Sequence, residues 1–200
     1  MLKQATPMAE KRRTQAERRA ETYKQILDSA TRLFGERGYA STSLEDISAD
    51  CGVTTRPIYH YFGNKKQLFA AVNEAMEQRI LDAMSEPSSD SPKEYMKQRL
   101  QTFLALCDDP AFRQIVLVDS PNILGRERWA ETPVTVKVRE KFAHAGGLSD
   151  QAQFRSELLA RMMIGAFAEA ALMIAESDDI EMAKTQTNRL MQKFIDGISE

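Results

Sequence analysis

Apolar residues return at every third or fourth position along most of this 200-residue chain, the spacing of helix faces turned toward a core. Ile26, Leu27, Ala30, Leu33 and Phe34 form one such stripe, which closes at Gly38. Leu44, Ile47 and Cys51 form a shorter one. It starts at a capping box, Thr42 with Glu45, and stops at Gly52, where a left-handed residue can end a helix. Val53, Ile58 and Phe62 then turn inward on a second short helix that Gly63 stops. Asn64 with Gln67 caps a longer helix carrying Leu68, Ala71, Val72, Ala75, Met76 and Ile80. The polar, proline-bounded stretch at 86–92 reads as a loop.

Beyond it, Tyr95, Met96, Arg99, Leu100, Phe103, Leu104 and Cys107 make the next amphipathic face. Residues 112–118 have strand propensity at Ile115-Val116-Leu117-Val118. Helical patterns on both sides, with no partner strand, predict a buried helix instead. Pro121 and Gly125 break the pattern, and Trp129 behind them either walls a pocket or packs between helices. Phe154, Leu158, Leu159, Met162 and Met163 lead into a small-residue run at 165–171 that lets another helix approach closely. Ile180, Ala183, Thr187, Leu190, Met191, Phe194, Ile195 and Ile198 form the last stripe. The pattern predicts an all-α fold: an N-terminal three-helix head with a helix-turn-helix, and a C-terminal helical body.

Composition sharpens this picture in two places. The net charge of −2 conceals a split, with residues 1–66 at +4 and residues 67–200 at −6. A basic head on an acidic body fits a head that meets nucleic acid. The run Lys11, Arg12, Arg13, Arg18, Arg19 and Lys24 is either a solvated helix face or, in part, an arm that tracks phosphates. The most apolar stretch, 162–175, is broken by Glu169 and reads as too short to cross a bilayer, and nothing resembles a signal peptide. Cys51 and Cys107 lack metal-ligand spacing and read as reduced core residues of a cytoplasmic protein, with a redox sensor as the alternative.

The chemistry concentrates at 42–66. With Val53, Ile58 and Phe62 inward, Thr54, Thr55, Arg56, Tyr59, His60 and Tyr61 have polar groups to present outward. Lys65 and Lys66 occupy the first turn of the following helix, where cations oppose the macrodipole. An anion such as a DNA phosphate is expected there. An enzyme reading finds no constellation to stand on. The two histidines are His60, in the recognition helix, and His144, near a helix end. No phosphate loop, nucleophile elbow or metal cluster is visible, so no catalytic residue, cofactor or metal is expected.

The segments ILDSATRLFGERGYASTSLEDISADCGV, TTRPIYHYF and GNKKQLFAAV, continuous from about residue 23 to 72, resemble the TetR family of bacterial transcriptional regulators. Pro57 departs from the family, which more often has a small residue there. It biases Arg56 away from the α region, so the helix start can shift by a residue. The segment DSPNILGRERW at 119–129 resembles a C-terminal type found in a subset of these regulators.

The resemblance implies DNA contacts by Thr42, Ser43, Thr54, Thr55, Arg56, Pro57, Tyr59, His60 and Lys65. It also places the domains at 1–20 (a basic, partly disordered arm), 21–67 (the DNA-binding head) and 68–200 (the ligand-binding and dimerisation body). The last two helices are expected to pair with their copies in a homodimer through Phe154, Leu158, Gly165 and Ala168, together with Thr187, Leu190, Met191 and Phe194. Phe103, Cys107, Leu117 and Trp129, with Phe142, Met162, Met163 and Phe167, suggest an apolar, methionine-softened cavity; otherwise they are simply core. The implied function is a ligand-responsive regulator, most often a repressor, that binds a palindromic operator on double-stranded DNA and is released by a small hydrophobic or aromatic effector. A dimeric small-molecule-binding or scaffold protein is the other class. No membrane partner is expected.

Overall fold

The computed structural model describes residues 14–84, 91–125, 132–145 and 149–197; for Pro92 and for 141–145 it describes the backbone only. Every regular element among the described residues is helical. The head comprises α1 (Gln15–Arg37), α2 (Leu44–Asp50) and α3 (Thr55–Phe62). Next comes α4 (Lys65–Ala83), which runs into the body. The body holds α5 (Pro92–Leu106), α6 (Pro110–Phe112), a π-helical segment π1 (Arg113–Asp119), α7 (Ser120–Ile123), α8 (Pro133–Ala145), α9 (Asp150–Ala175) and α10 (Ile180–Gly197).

Local chemistry sets the head's boundaries. Thr14 and Glu17 cap α1 reciprocally, so helix begins at Gln15 and Arg18 and Arg19 belong to it, not to an unstructured arm. Gly38 at φ 77°, Gly52 at φ 69° and Gly63 at φ 78° close α1, the helix-turn-helix turn and α3. The capping box of α2 lies one residue later than the sequence pattern suggested: Ser43 pairs with Asp46, not Thr42 with Glu45. A serine hydroxyl and an aspartate span the same four-residue register, and Thr42 is drawn inward instead. Ile26, Leu33, Phe34, Ile47, Ile58 and Leu68 are buried where the first four helices meet. Phe69 meets Phe34 edge-on at 5.3 Å and Tyr39 at 5.1 Å between ring centres.

The apolar stretch at 112–118 is a buried helix, as its flanking pattern predicts, but in π register. The Ser120 N–H donates to Ile115 O, five residues back. Pro121 does not break this helix. It has no N–H to offer, the wider register absorbs the vacancy, and the chain stays helical to Ile123 before Gly125 turns it at φ 99°. Helix α9 is also longer than the apolar stretch within it. At 26 residues it is long and apolar enough to cross a bilayer by length and composition alone. Its faces nonetheless differ: Ser156, Ala160, Met163, Ala171 and Ile174 are buried within the subunit, whereas Arg155, Glu157, Arg161 and Glu169 are exposed.

Head and body meet where α1 packs on α6 and π1. A β-carbon placed on Gly35 would stand 2.5 Å from Ala111 Cβ. Gly35→Ala should therefore destabilise the fold. The helix-propensity gain is about 1 kcal/mol, and overpacking at such a contact costs about 1–3 kcal/mol. A fall of several degrees in thermal midpoint is expected by circular dichroism; an unchanged midpoint would mean the two helices part freely.

Candidate nucleic-acid interface and ligand cavity

Ile58 and Phe62 anchor α3 in the head and leave its other face to solvent. Arg56, Tyr59 and His60 are exposed there, Tyr59 at 52%. Thr54 is the N-cap and makes no side-chain capping bond, so its hydroxyl remains available beside the first turn. Thr55 and Pro57 are half-buried, and Pro57 lies within the helix without shifting its start, which stays at Thr55. Tyr61 is turned partly inward, edge-on to Tyr23 at 5.8 Å.

Two of the expected DNA contacts are engaged elsewhere. Thr42 is 1% exposed, and its hydroxyl donates to Gly38 O at 2.9 Å, with Leu33 O at 3.2 Å, closing the turn after α1. Ser43 Oγ donates to Asp46 Oδ2 at 2.6 Å and accepts from Asp46 N at 3.0 Å. Both hydroxyls hold the head's own fold together; Thr42 is buried, while Ser43 is half-buried on the wall of a groove that Lys65 also lines. Ser43 also holds the Asp46 carboxyl below its usual range. The hydroxyl of Ser29 and the guanidinium of Arg32 do the same for Asp50, tying α1 to α2. The sequence pattern missed this link, because the contacting residues are remote in sequence.

A shallow groove runs between the start of α2, Tyr59 and the start of α4, and Asn64 and Lys65 line it. The Asn64 side chain caps α4 by accepting from Gln67 N at 2.9 Å. Lys65 Nζ stands 4.2 Å above the centre of the Tyr39 ring. Partial burial lowers the pKa of Lys65, and the carboxylates of Asp119 and Asp46 oppose that shift. Asp119 belongs to the body, and its Oδ2 accepts the Tyr39 N–H at 2.7 Å. One body carboxylate thus holds the backbone of the residue whose ring carries the head's lysine.

A partly open cavity of about 160 Å³ lies between α4, α5, π1, α8 and α9 of the body. Phe103, Leu117 and Phe167 line it. Cys107 and Met163 are buried but absent from its wall, and Met162 is 47% exposed on the outer side of α9. Their helix faces point away from the void. Trp129 lies outside the described residues, as does the side chain of Phe142. Burial pushes the Cys107 thiol up to about 12, so it carries almost no thiolate near neutral pH. The polar wall residues Asn73, Glu77 and Arg99 escaped the sequence reading. The available signal was a charge on the apolar stripe of α5, between Tyr95 and Phe103.

On the outer face, Phe154, Leu158 and Leu190 are exposed, Phe154 at 71% and Leu190 at 65%. Met173, Met182 and Phe194 extend this surface, and Gly165 is exposed within it. Only 22% of the most apolar stretch of α9 is buried within the subunit. Thr187 is half-buried. Ala168 and Met191, expected on the same outer face, turn inward: Ala168 lines the cavity and Met191 is buried. Their positions on the helical wheel lie toward the packed side.

The family model described as "Bacterial regulatory proteins, tetR family" matches residues 26–72, and "Tetracyclin repressor-like, C-terminal domain" matches residues 93–198. The HTH-type transcriptional regulator AcrR of Shigella flexneri is 42% identical over 73 residues, covering 36% of this chain and 33% of its own length. TtgR of Pseudomonas putida, also described as an HTH-type transcriptional regulator, is 37% identical over 108 residues, covering 52% of this chain and 51% of its own. The chain thus spans between a third and a half of the length of these curated relatives. A crystal structure of a TetR-family transcriptional regulator from Pectobacterium atrosepticum superposes with TM-score 0.70 at 28% identity, covering 93% of this chain and 97% of that one. With both the head and most of the body matched, the chain belongs to the TetR family of bacterial transcriptional regulators and is not an enzyme.

Proposed function

We propose that this chain is a ligand-responsive repressor that binds a palindromic operator as a homodimer and is released by a small effector in the body cavity. The observation that carries this reading is the junction at Asp119. Val116, Leu117 and Ser120 line the cavity, and Asp119 between them accepts the Tyr39 N–H in the head. A ligand that moves π1 moves the residue on which Lys65 rests.

The exposed face of α3 suits a major groove. In this reading Arg56 meets a guanine edge, while Tyr59 and Lys65 meet backbone phosphates. One such helix reads few bases, and two heads about 34–36 Å apart read a palindrome. The apolar outer surface of α9 and α10 supports the required pairing. A largely apolar cavity supports a hydrophobic or aromatic effector, and a cytoplasmic location follows from the operator. A TetR from Acinetobacter baumannii, 18% identical, has been solved in complex with minocycline, which is in keeping with a body of this fold holding a small molecule. The effector acts by population shift, with strength set by its differential affinity for the two states.

A gel shift with the DNA beside the protein's own gene tests the core of the proposal; no retardation at low salt would remove it. Lys65→Ala should weaken specific and nonspecific DNA alike and reduce the slope of log affinity against log salt by about one. Phe154→Glu or Leu190→Glu should yield monomers in sedimentation, because each places a charge in an apolar seam. A stable Phe154→Glu dimer would put the interface elsewhere. Asp119→Ala should leave operator and effector binding measurable separately but bring their coupling close to unity. Undiminished release of DNA by effector in Asp119→Ala would exclude this junction as the route.

A further inference from the structure

The cavity wall is largely apolar, with hydroxyls from Thr102, Ser120, Thr132 and Thr135, and three larger polar side chains reach it from two helices. Arg99, on α5, is 7% exposed and lines the void, and its Nε and Nη1 have no hydrogen-bond partner. The Tyr95 ring lies 5.1 Å from the guanidinium carbon and leaves the edge that carries Nε and Nη1 open. On α4, Asn73 Nδ2 donates to Glu77 Oε1 at 2.6 Å. That bond orients the amide, so Asn73 Oδ1, also without a partner, is the acceptor left open. A buried guanidinium with Nε and Nη1 unpartnered is an unfavourable arrangement that apolar packing does not relieve. Tyr95 and Phe103 flank Arg99 on the same helix face, a position that otherwise suits an aliphatic side chain.

We infer that the effector of this regulator is a small carboxylate with an apolar body, seated with its carboxylate on the open edges of Arg99 and its body against Phe103, Leu117 and Phe167. This rests on the proposed ligand-responsive role and specifies the ligand's chemistry. Arginine matches a carboxylate with charge-assisted hydrogen bonds, and the dry wall strengthens each of them. Asn73 Oδ1 would receive a hydroxyl or amine carried on the ligand body. The size also constrains the class: an apolar cavity of about 150 Å³ accepts a benzene ring, and this one measures about 160 Å³. A single ring or a short branched chain fits this volume.

The test uses the full chain with three probes of one size: benzoate, its neutral isostere nitrobenzene, and toluene. Calorimetric titration should rank benzoate about tenfold or more ahead of nitrobenzene, as a charge-assisted pair predicts. In Arg99→Met that preference should disappear through loss of benzoate binding, with nitrobenzene binding retained. Arg99→Lys should restore part of it, and comparison of the two probes on the unaltered protein decides the matter even if Arg99→Met fails to fold. Nitrobenzene bound as tightly as benzoate would overturn the carboxylate assignment while leaving an apolar effector in place. Binding of none of the three would overturn the occupied-cavity inference, and the operator gel shift would then report separately on the regulator reading. An unchanged benzoate preference in a folded Arg99→Met protein would move the anion site away from Arg99.

Discussion

The close approach of α1 to α6 and π1 is the constraint on which the rest of the molecule depends. Gly35 permits it, since a β-carbon there would overlap Ala111. Two helices in such contact leave little room for sliding, and packed interiors switch between discrete arrangements more readily than they deform. Asp119 then bonds to the Tyr39 backbone, and the Tyr39 ring lies between Phe34, Phe69 and Lys65. The head is therefore mounted on α6 and on a segment of the body that is wound in π register. That segment also walls the cavity, so a void in the body and a lysine in the head share a short mechanical path.

The π register itself follows from the sequence around it. Ile115, Val116 and Leu117 are all buried, more consecutive apolar side chains than one face of an α-helix can turn inward. Pro121 removes a donor at the point where the chain must regain α register. Widening the helix by one residue satisfies both demands and sets Asp119 toward the head while its neighbours face the cavity. A helix regular through this segment would present a different residue to Tyr39.

Polar groups in apolar places divide the two faces of the body. Inside, Arg99, Asn73 and Glu77 stand in a largely apolar wall. Outside, Phe154, Leu158, Leu190 and Phe194 are exposed, only partly covered by their own subunit. The two mismatches are opposite in kind. A buried cation is completed by an anion of small size, whereas an apolar surface spread over two long helices is completed by another surface of similar extent. The proposed small ligand and second chain would answer them respectively.

Helix order, the helix-turn-helix and the outward face of α3 were legible in the sequence, because each depends on local spacing: apolar returns at three and four, glycines at positive φ, a polar cap three residues before its donor. The family resemblance rested on the same local features. The structure moved what local pattern leaves open. Thr42 and Thr54 carry the same side chain, yet one hydroxyl is buried in the turn after α1 and the other stands beside the recognition helix. Met162 and Met163 are neighbours in sequence and lie on opposite sides of α9, while Ala168 and Met191 face the interior of a stripe that looked uniform. Periodicity states that a helix has an apolar face; it does not state which neighbour covers it. The bond from Asp119 to Tyr39 spans eighty residues, and Arg99 meets the cavity only because α4, α5, π1, α8 and α9 converge there. Short-range sterics and capping are written residue by residue, but long-range pairing is decided by the packing of whole helices, and there tertiary structure alone places the chemistry.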